Sequence, residues 1–167
     1  METSGGKIRV LVVEDHTVVR EGLRALLGGQ PDIEVVGEAE DGETAVQEAV
    51  AKGPDVIIMD LFLKGLNGIE AIERIARKAK GSRILVLSMY GNVDYVVSAF
   101  RAGAAGYILK GSGISQVVEA IRRLKAGETC FAPDVEDKLS GKGGRSAHDR
   151  LELLTEREKE VLQLIAE

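Results

Sequence analysis

Val56-Ile57-Ile58-Met59-Asp60, followed by the loop Leu61-Phe62-Leu63-Lys64-Gly65-Leu66-Asn67-Gly68, decides how this chain is read. An unbroken apolar run that includes Val and Ile predicts a short strand buried on both faces, as in a parallel sheet. A carboxylate then stands at the strand's end, where a parallel sheet opens its ligand crevice. A carboxylate there carries a high desolvation cost unless a cation or a hydrogen-bond network meets it. Taken alone, Asp60 reads equally well as a helix cap or a turn residue. The neighbouring segments have to decide.

Outward from that strand, helical and extended patterns alternate. Ile8–Val13 predicts a first strand ending in Glu14-Asp15. Val18, Val19, Gly22, Leu23, Leu26 and Leu27 recur at helical spacing, closed by Gly28-Gly29. Residues 33–37 predict a second strand, and Ala45, Val46, Ala49 and Val50 a second helix stopped near Gly53-Pro54. After the Asp60 strand, Ile69, Ile72, Ile75 and Ala76 mark helix three, and residues 84–87 a strand ending at Ser88. Val93, Val96, Val97 and Phe100 mark helix four, and Gly106–Leu109 a strand ending at Lys110. Ile114, Val117, Val118, Ile121 and Leu124 mark helix five. This alternation predicts an α/β fold, a doubly wound five-stranded parallel sheet with a C-terminal helical extension. Such a fold names no function by itself.

The 167 residues, 44% apolar but only 4% aromatic, suit one domain with an aliphatic core plus an appendage. No apolar run is long enough for a membrane span, and the N-terminus lacks the basic and apolar regions of a secretory signal. Cys130 is the single cysteine, which excludes an internal disulfide. A cytoplasmic protein without membrane contact is the expectation. The net charge is −5, and residues 133–167 hold six Lys/Arg against nine Asp/Glu, so no part is basic enough for strong nucleic-acid binding. Residues 129–150 are read as a linker because residues 139–147 are rich in Gly and Ser. Beyond it, Thr155-Glu156-Arg157-Glu158 forms a capping box ahead of the apolar face Val161, Leu162 and Ile165. Residues 151–167 are expected to open a further domain, with any DNA-binding surface mostly beyond Glu167.

A parallel sheet places all its carboxyl ends on one edge, so Glu14-Asp15, Asp60, Ser88 and Lys110 should converge. Crowded carboxylates need a cation, and a hard divalent ion such as Mg²⁺ suits three carboxylates with a carbonyl and waters. Zinc does not suit this set, and His16 is read as a surface or capping residue. A carboxylate beside a divalent ion, an ammonium and a hydroxyl suits phosphoryl transfer, with Asp60 as nucleophile and Lys110 and Ser88 stabilising the transferred group.

These residues, with the run Ala104-Ala105-Gly106-Tyr107-Ile108-Leu109-Lys110, resemble the flavodoxin-like receiver domain of two-component response regulators over residues 7–128. Leu154-Thr155-Glu156-Arg157-Glu158-Lys159-Glu160-Val161-Leu162 resembles the opening of a LuxR-type helix-turn-helix, here truncated, which points to the NarL/FixJ family. The resemblance implies a regulatory phosphoprotein rather than an enzyme, phosphorylated on Asp60 by a sensor histidine kinase. It implies Mg²⁺ held by Asp15, Asp60 and the Phe62 carbonyl, with Glu14 acting through water. It implies Ser88 and Tyr107 as switch residues, although a Tyr on a short strand is more often core, so the Tyr107 role rests on the resemblance. The implied output is a homodimer formed on phosphorylation, or release of the DNA-binding domain, acting on DNA through the full-length C-terminal domain to regulate transcription.

Two departures stand out. Leu63-Lys64 replaces the family's common Met-Pro, which frees the loop and adds a cation beside the pocket. Phe62 and Tyr90 fill the positions by which the family tunes dephosphorylation, and neither can orient an attacking water, so loss of the phosphoryl group should be slow. A haloacid-dehalogenase-type hydrolase would need an acid where Phe62 stands, and a nucleotide site would need a Gly-rich loop where Glu14-Asp15-His16-Thr17 stands. A receiver used purely for protein interaction, insensitive to phosphate, is opposed by the complete residue set, though Lys64 keeps it open.

Overall fold

The computed structural model describes residues 6–63 and 65–131. Six parallel strands form one sheet: β1 (Ile8–Val13), β2 (Ile33–Ala39), β3 (Val56–Met59), β4 (Arg83–Ser88), β5 (Gly106–Leu109) and β6 (Cys130–Phe131). Their spatial order is β2-β1-β3-β4-β5-β6. Five helices connect them: α1 (Thr17–Gly28), α2 (Gly42–Lys52), α3 (Gly68–Lys78), α4 (Val93–Ala102) and α5 (Ile114–Lys125). The five expected strands are all present. β6, a two-residue addition beside β5, begins where the sequence predicts the linker; so short a segment has no pattern to read.

The period of two along each strand divides the interior into two layers. Leu11, Val13, Ile57, Met59, Ile84, Val86 and Tyr107 face α2, α3 and α4. Val10, Val12, Val56, Ile58, Leu85, Leu87 and Ile108 face α1 and α5. Because both faces are covered, β3 is wholly buried, as its unbroken apolar run requires.

Helix faces depart from expectation in five places. Val18, Val19, Leu26, Val50 and Phe100 are exposed. In α1 Leu23 and Leu27 pack into the core, whereas Val18, Val19 and Leu26 face solvent. Spacing of three or four residues fits two adjacent stripes equally, and only packing chooses between them. At the other end of α2, Gly53 takes the left-handed conformation (φ 54°) and its N–H bonds the Ala49 carbonyl, which stops the helix. Lys64, the linker beyond Phe131 and the capping box at Thr155 lie outside the described residues.

Candidate functional site

The sheet order reverses between β1 and β3, the place where a doubly wound sheet opens a crevice at its carboxyl edge. Asp60 leaves β3 there with its N–H on the Val13 carbonyl (3.3 Å), while Glu14 leaves β1 with its N–H on the Ala39 carbonyl (2.9 Å). Lys110 follows β5 directly and opens a short 3-10 turn, Lys110–Ser112. Its ammonium reaches back to both acids: Nζ lies 2.8 Å from Glu14 Oε1 and 2.8 Å from Asp60 Oδ2. The other Asp60 oxygen accepts the Phe62 N–H at 3.0 Å.

Glu14 and Asp60 are both buried, so their charges depend on these partners. Burial pushes the Glu14 carboxyl up, but the Lys110 ammonium and the His16 N–H outweigh it and hold Glu14 below its ordinary value. Burial pulls the Lys110 ammonium down, and its hydrogen bonds to Asp60 and Glu14 more than restore it, so it stays charged beyond the usual lysine range.

Asp15 behaves differently. Its Oδ1 is buried without a hydrogen-bond partner, the nearest opposite group being His16 Nδ1 at 3.2 Å. Ligand atoms of Glu14, Asp15 and His16 lie within 4.8 Å of one another. A buried, orphaned carboxylate oxygen beside the Glu14 carboxylate is oxygen-donor chemistry of the kind that a hard divalent cation such as Mg²⁺ takes, although Asp60 is not among these grouped ligand atoms. His16 occupies the N-cap position of α1 without a side-chain cap bond. Its exposed ring turns instead to Glu14 Oε2 (2.9 Å), and its N–H donates to the same oxygen (3.1 Å). It is thus the exposed residue at the helix start that the sequence predicts, with its ring laid against the acidic pair.

Ser88, fully buried at the end of β4, accepts the Tyr90 N–H on Oγ at 3.1 Å. Tyr107 is also fully buried, and its hydroxyl donates to the Tyr90 carbonyl. Burial above all, with the nearby Asp60 charge and Tyr95 adding to it, pushes the Tyr107 phenol up to about 12 against the partial relief of its hydrogen bond with Ser88. Tyr107 thus already points inward, in the core position that a tyrosine on a short strand favours.

Phe62 and Tyr90 meet at the rim of the site with ring centroids 5.1 Å apart at an interplanar angle of 74°. A third ring, Tyr95 from the first turn of α4, meets Phe62 at 5.3 Å and 88° and Tyr90 at 6.1 Å. Sequence reasoning missed Tyr95, because nothing in the spacing of α4 points it toward residue 62.

Residues 10–122 match the family model described as the response regulator receiver domain. The chain belongs to the response regulator receiver family. Among relatives of this receiver, the transcriptional regulatory protein LiaR of Bacillus subtilis is 45% identical over 167 residues, covering 96% of this chain and 77% of the relative. A two-component response regulator of the LuxR family from Aurantimonas is 36% identical with a TM-score of 0.77, covering 81% of this chain and 96% of that one. RcsB from Salmonella enterica, solved bound to a promoter, is 26% identical with a TM-score of 0.73, covering 81% of this chain and 67% of that one. The receiver is of the NarL/FixJ type, and its fold is the flavodoxin-like one expected. Response regulators pair with histidine kinases and are regulatory rather than catalytic in character. No helix among the described residues is long and apolar enough to cross a membrane.

Proposed function

We propose that this receiver is a phosphorylation switch that accepts a phosphoryl group on Asp60 from a sensor histidine kinase. The observation that carries the reading is Lys110 Nζ bridging Glu14 and Asp60 at 2.8 Å each, beside the orphaned Asp15 oxygen. In the transfer, an Asp60 oxygen bonds to phosphorus as the bond from phosphorus to the donor nitrogen breaks, leaving an acyl phosphate on Asp60. Lys110, released from part of its present pairing, neutralises a phosphoryl oxygen, and Ser88 Oγ donates to another. Mg²⁺, which Asp15, Asp60 and the Phe62 carbonyl would hold with Glu14 acting through water, supplies further neutralisation of phosphoryl charge.

The new charge draws Ser88 toward the phosphoryl group, and this disturbs the Ser88–Tyr90–Tyr107 set. The face formed by α4, β5 and α5 changes in consequence. The output in this reading is a homodimer that acts on DNA through a C-terminal LuxR-type domain; the similar RcsB, solved as dimers on DNA and on a promoter, supports the dimer and the DNA target. The cytoplasm is where such a kinase partner would reach it.

Incubation with acetyl phosphate and Mg²⁺, read by intact mass and light scattering, tests the reading. The expected result is one added phosphoryl group that needs Mg²⁺ and is absent from Asp60→Asn, together with a shift toward dimer. After donor removal the group should persist far longer than seconds, because Phe62 and Tyr90 offer no group to orient water. Failure to gain mass under conditions that load other receivers would instead identify a phosphate-insensitive interaction module.

A further inference from the structure

We propose that Tyr95 is a positioning residue that fixes the lifetime of the Asp60 phosphate by clamping Phe62 at the rim of the site. The proposal rests on the phosphoacceptor reading above and deepens it. Three observations lead to it. Phe62 is tied to the reacting carboxylate through its own main chain, its N–H lying 3.0 Å from Asp60 Oδ1. The residue is nonetheless 45% exposed and belongs to neither core layer. What does touch the ring is two tyrosine rings, at 5.1 Å and 5.3 Å, both in the edge-to-face arrangement that aromatic quadrupoles favour.

The two tyrosines are not equivalent. Tyr90 is itself 53% exposed and stands on the loop whose main chain contacts Ser88 and Tyr107. Tyr95 is half-buried, belongs to α4 and packs against the core layer beneath it. Of the three rings it alone is anchored in the interior, so it transmits the position of α4 to Phe62. With Phe62 held, water has poor access to the phosphorus atom. With Phe62 released, water attacks phosphorus and the P–O bond to Asp60 breaks. Asp60 leaves as carboxylate, and both protons of the water depart on inorganic phosphate. Tyr95 acts through Phe62 and touches no reacting atom itself. The arrangement makes the lifetime of the signal depend on where α4 sits, a dependence that two rim residues alone would not create.

The test compares wild type, Tyr95→Phe and Tyr95→Leu, each loaded with acetyl phosphate and Mg²⁺, stripped of donor and followed by intact mass. Tyr95→Leu preserves apolar bulk and helix but removes the ring edge; thermal melts establish that it folds. Loss of an aromatic pair corresponds to roughly a threefold to tenfold change in rate, so Tyr95→Leu should shorten the phosphate half-life by about that factor. Tyr95→Phe, which keeps the ring, should match wild type. A Tyr95→Leu half-life equal to wild type would overturn the clamp, as would a Tyr95→Phe half-life as short as that of Tyr95→Leu. A wild-type chain that takes up no phosphoryl group at all would instead overturn the phosphoacceptor reading beneath it.

Discussion

The phenol of Tyr107 has no route to water, and its proton is committed to the Tyr90 carbonyl. Its folded pKa stands at about 12 against an ordinary 10.0, so the folded chain retains a proton that the unfolded chain releases. The contribution is therefore complete below about pH 10 and is lost as pH rises toward 12, on the order of 3 kcal/mol in all. Urea denaturation across that range should show a steeper alkaline decline for wild type than for Tyr107→Phe. Lys110 also titrates at high pH, but it is common to both chains, so their difference isolates the phenol. At this scale, legibility followed position along the strand. The convergence of Glu14, Asp60 and Lys110 was legible because each closes an apolar run, and parallel strands bring such ends together. Tyr95 was not, since its role depends on two rings brought near it only by tertiary packing.

The β3–α3 connection shows how an element holds the site to tolerance. Gly68 opens α3 with its N–H on the Leu61 carbonyl (2.9 Å), and a Cβ there would lie 2.5 Å from both the Leu61 Cα and its oxygen. Neither backbone atom can yield without moving the residue that follows Asp60. Gly68→Ala should cost about 1–3 kcal/mol in chemical denaturation and also slow phosphoryl uptake, because the loop carrying Phe62 shifts. The adjacent Asn67→Ala, which removes the cap on the Glu70 N–H (3.0 Å), should cost about 1 kcal/mol and leave uptake nearly unchanged. Strands were easier to read than helix faces. An apolar run between two covered faces has no orientation to choose, so β3 was unambiguous. Spacing places Val18, Val19, Leu26, Val50 and Phe100 inside, yet they lie outside, because a helix can rotate one stripe without breaking its period.

Across the whole molecule, the site draws on strands β1, β3, β4 and β5, so no contiguous piece of chain contains it. A cation held between β1 and β3 would therefore favour the folded chain over the unfolded one. Mg²⁺ at a hundredfold excess over its dissociation constant should stabilise by about 2.7 kcal/mol. Calorimetry should show a rise in Tm that chelation reverses and that Asp15→Asn largely abolishes. A rise of equal size in Asp15→Asn would place the cation elsewhere.

The short strand β6 bears on how the rest of the chain is attached. Cys130 donates its N–H to the Ala105 carbonyl at 2.9 Å, and Phe131 lies in register with Tyr107. The chain is thus moored main chain to main chain on the strand that carries the buried tyrosine. A displacement of β5 would be felt at that mooring as tension in the backbone, and a tug from beyond Phe131 would load β5 in return.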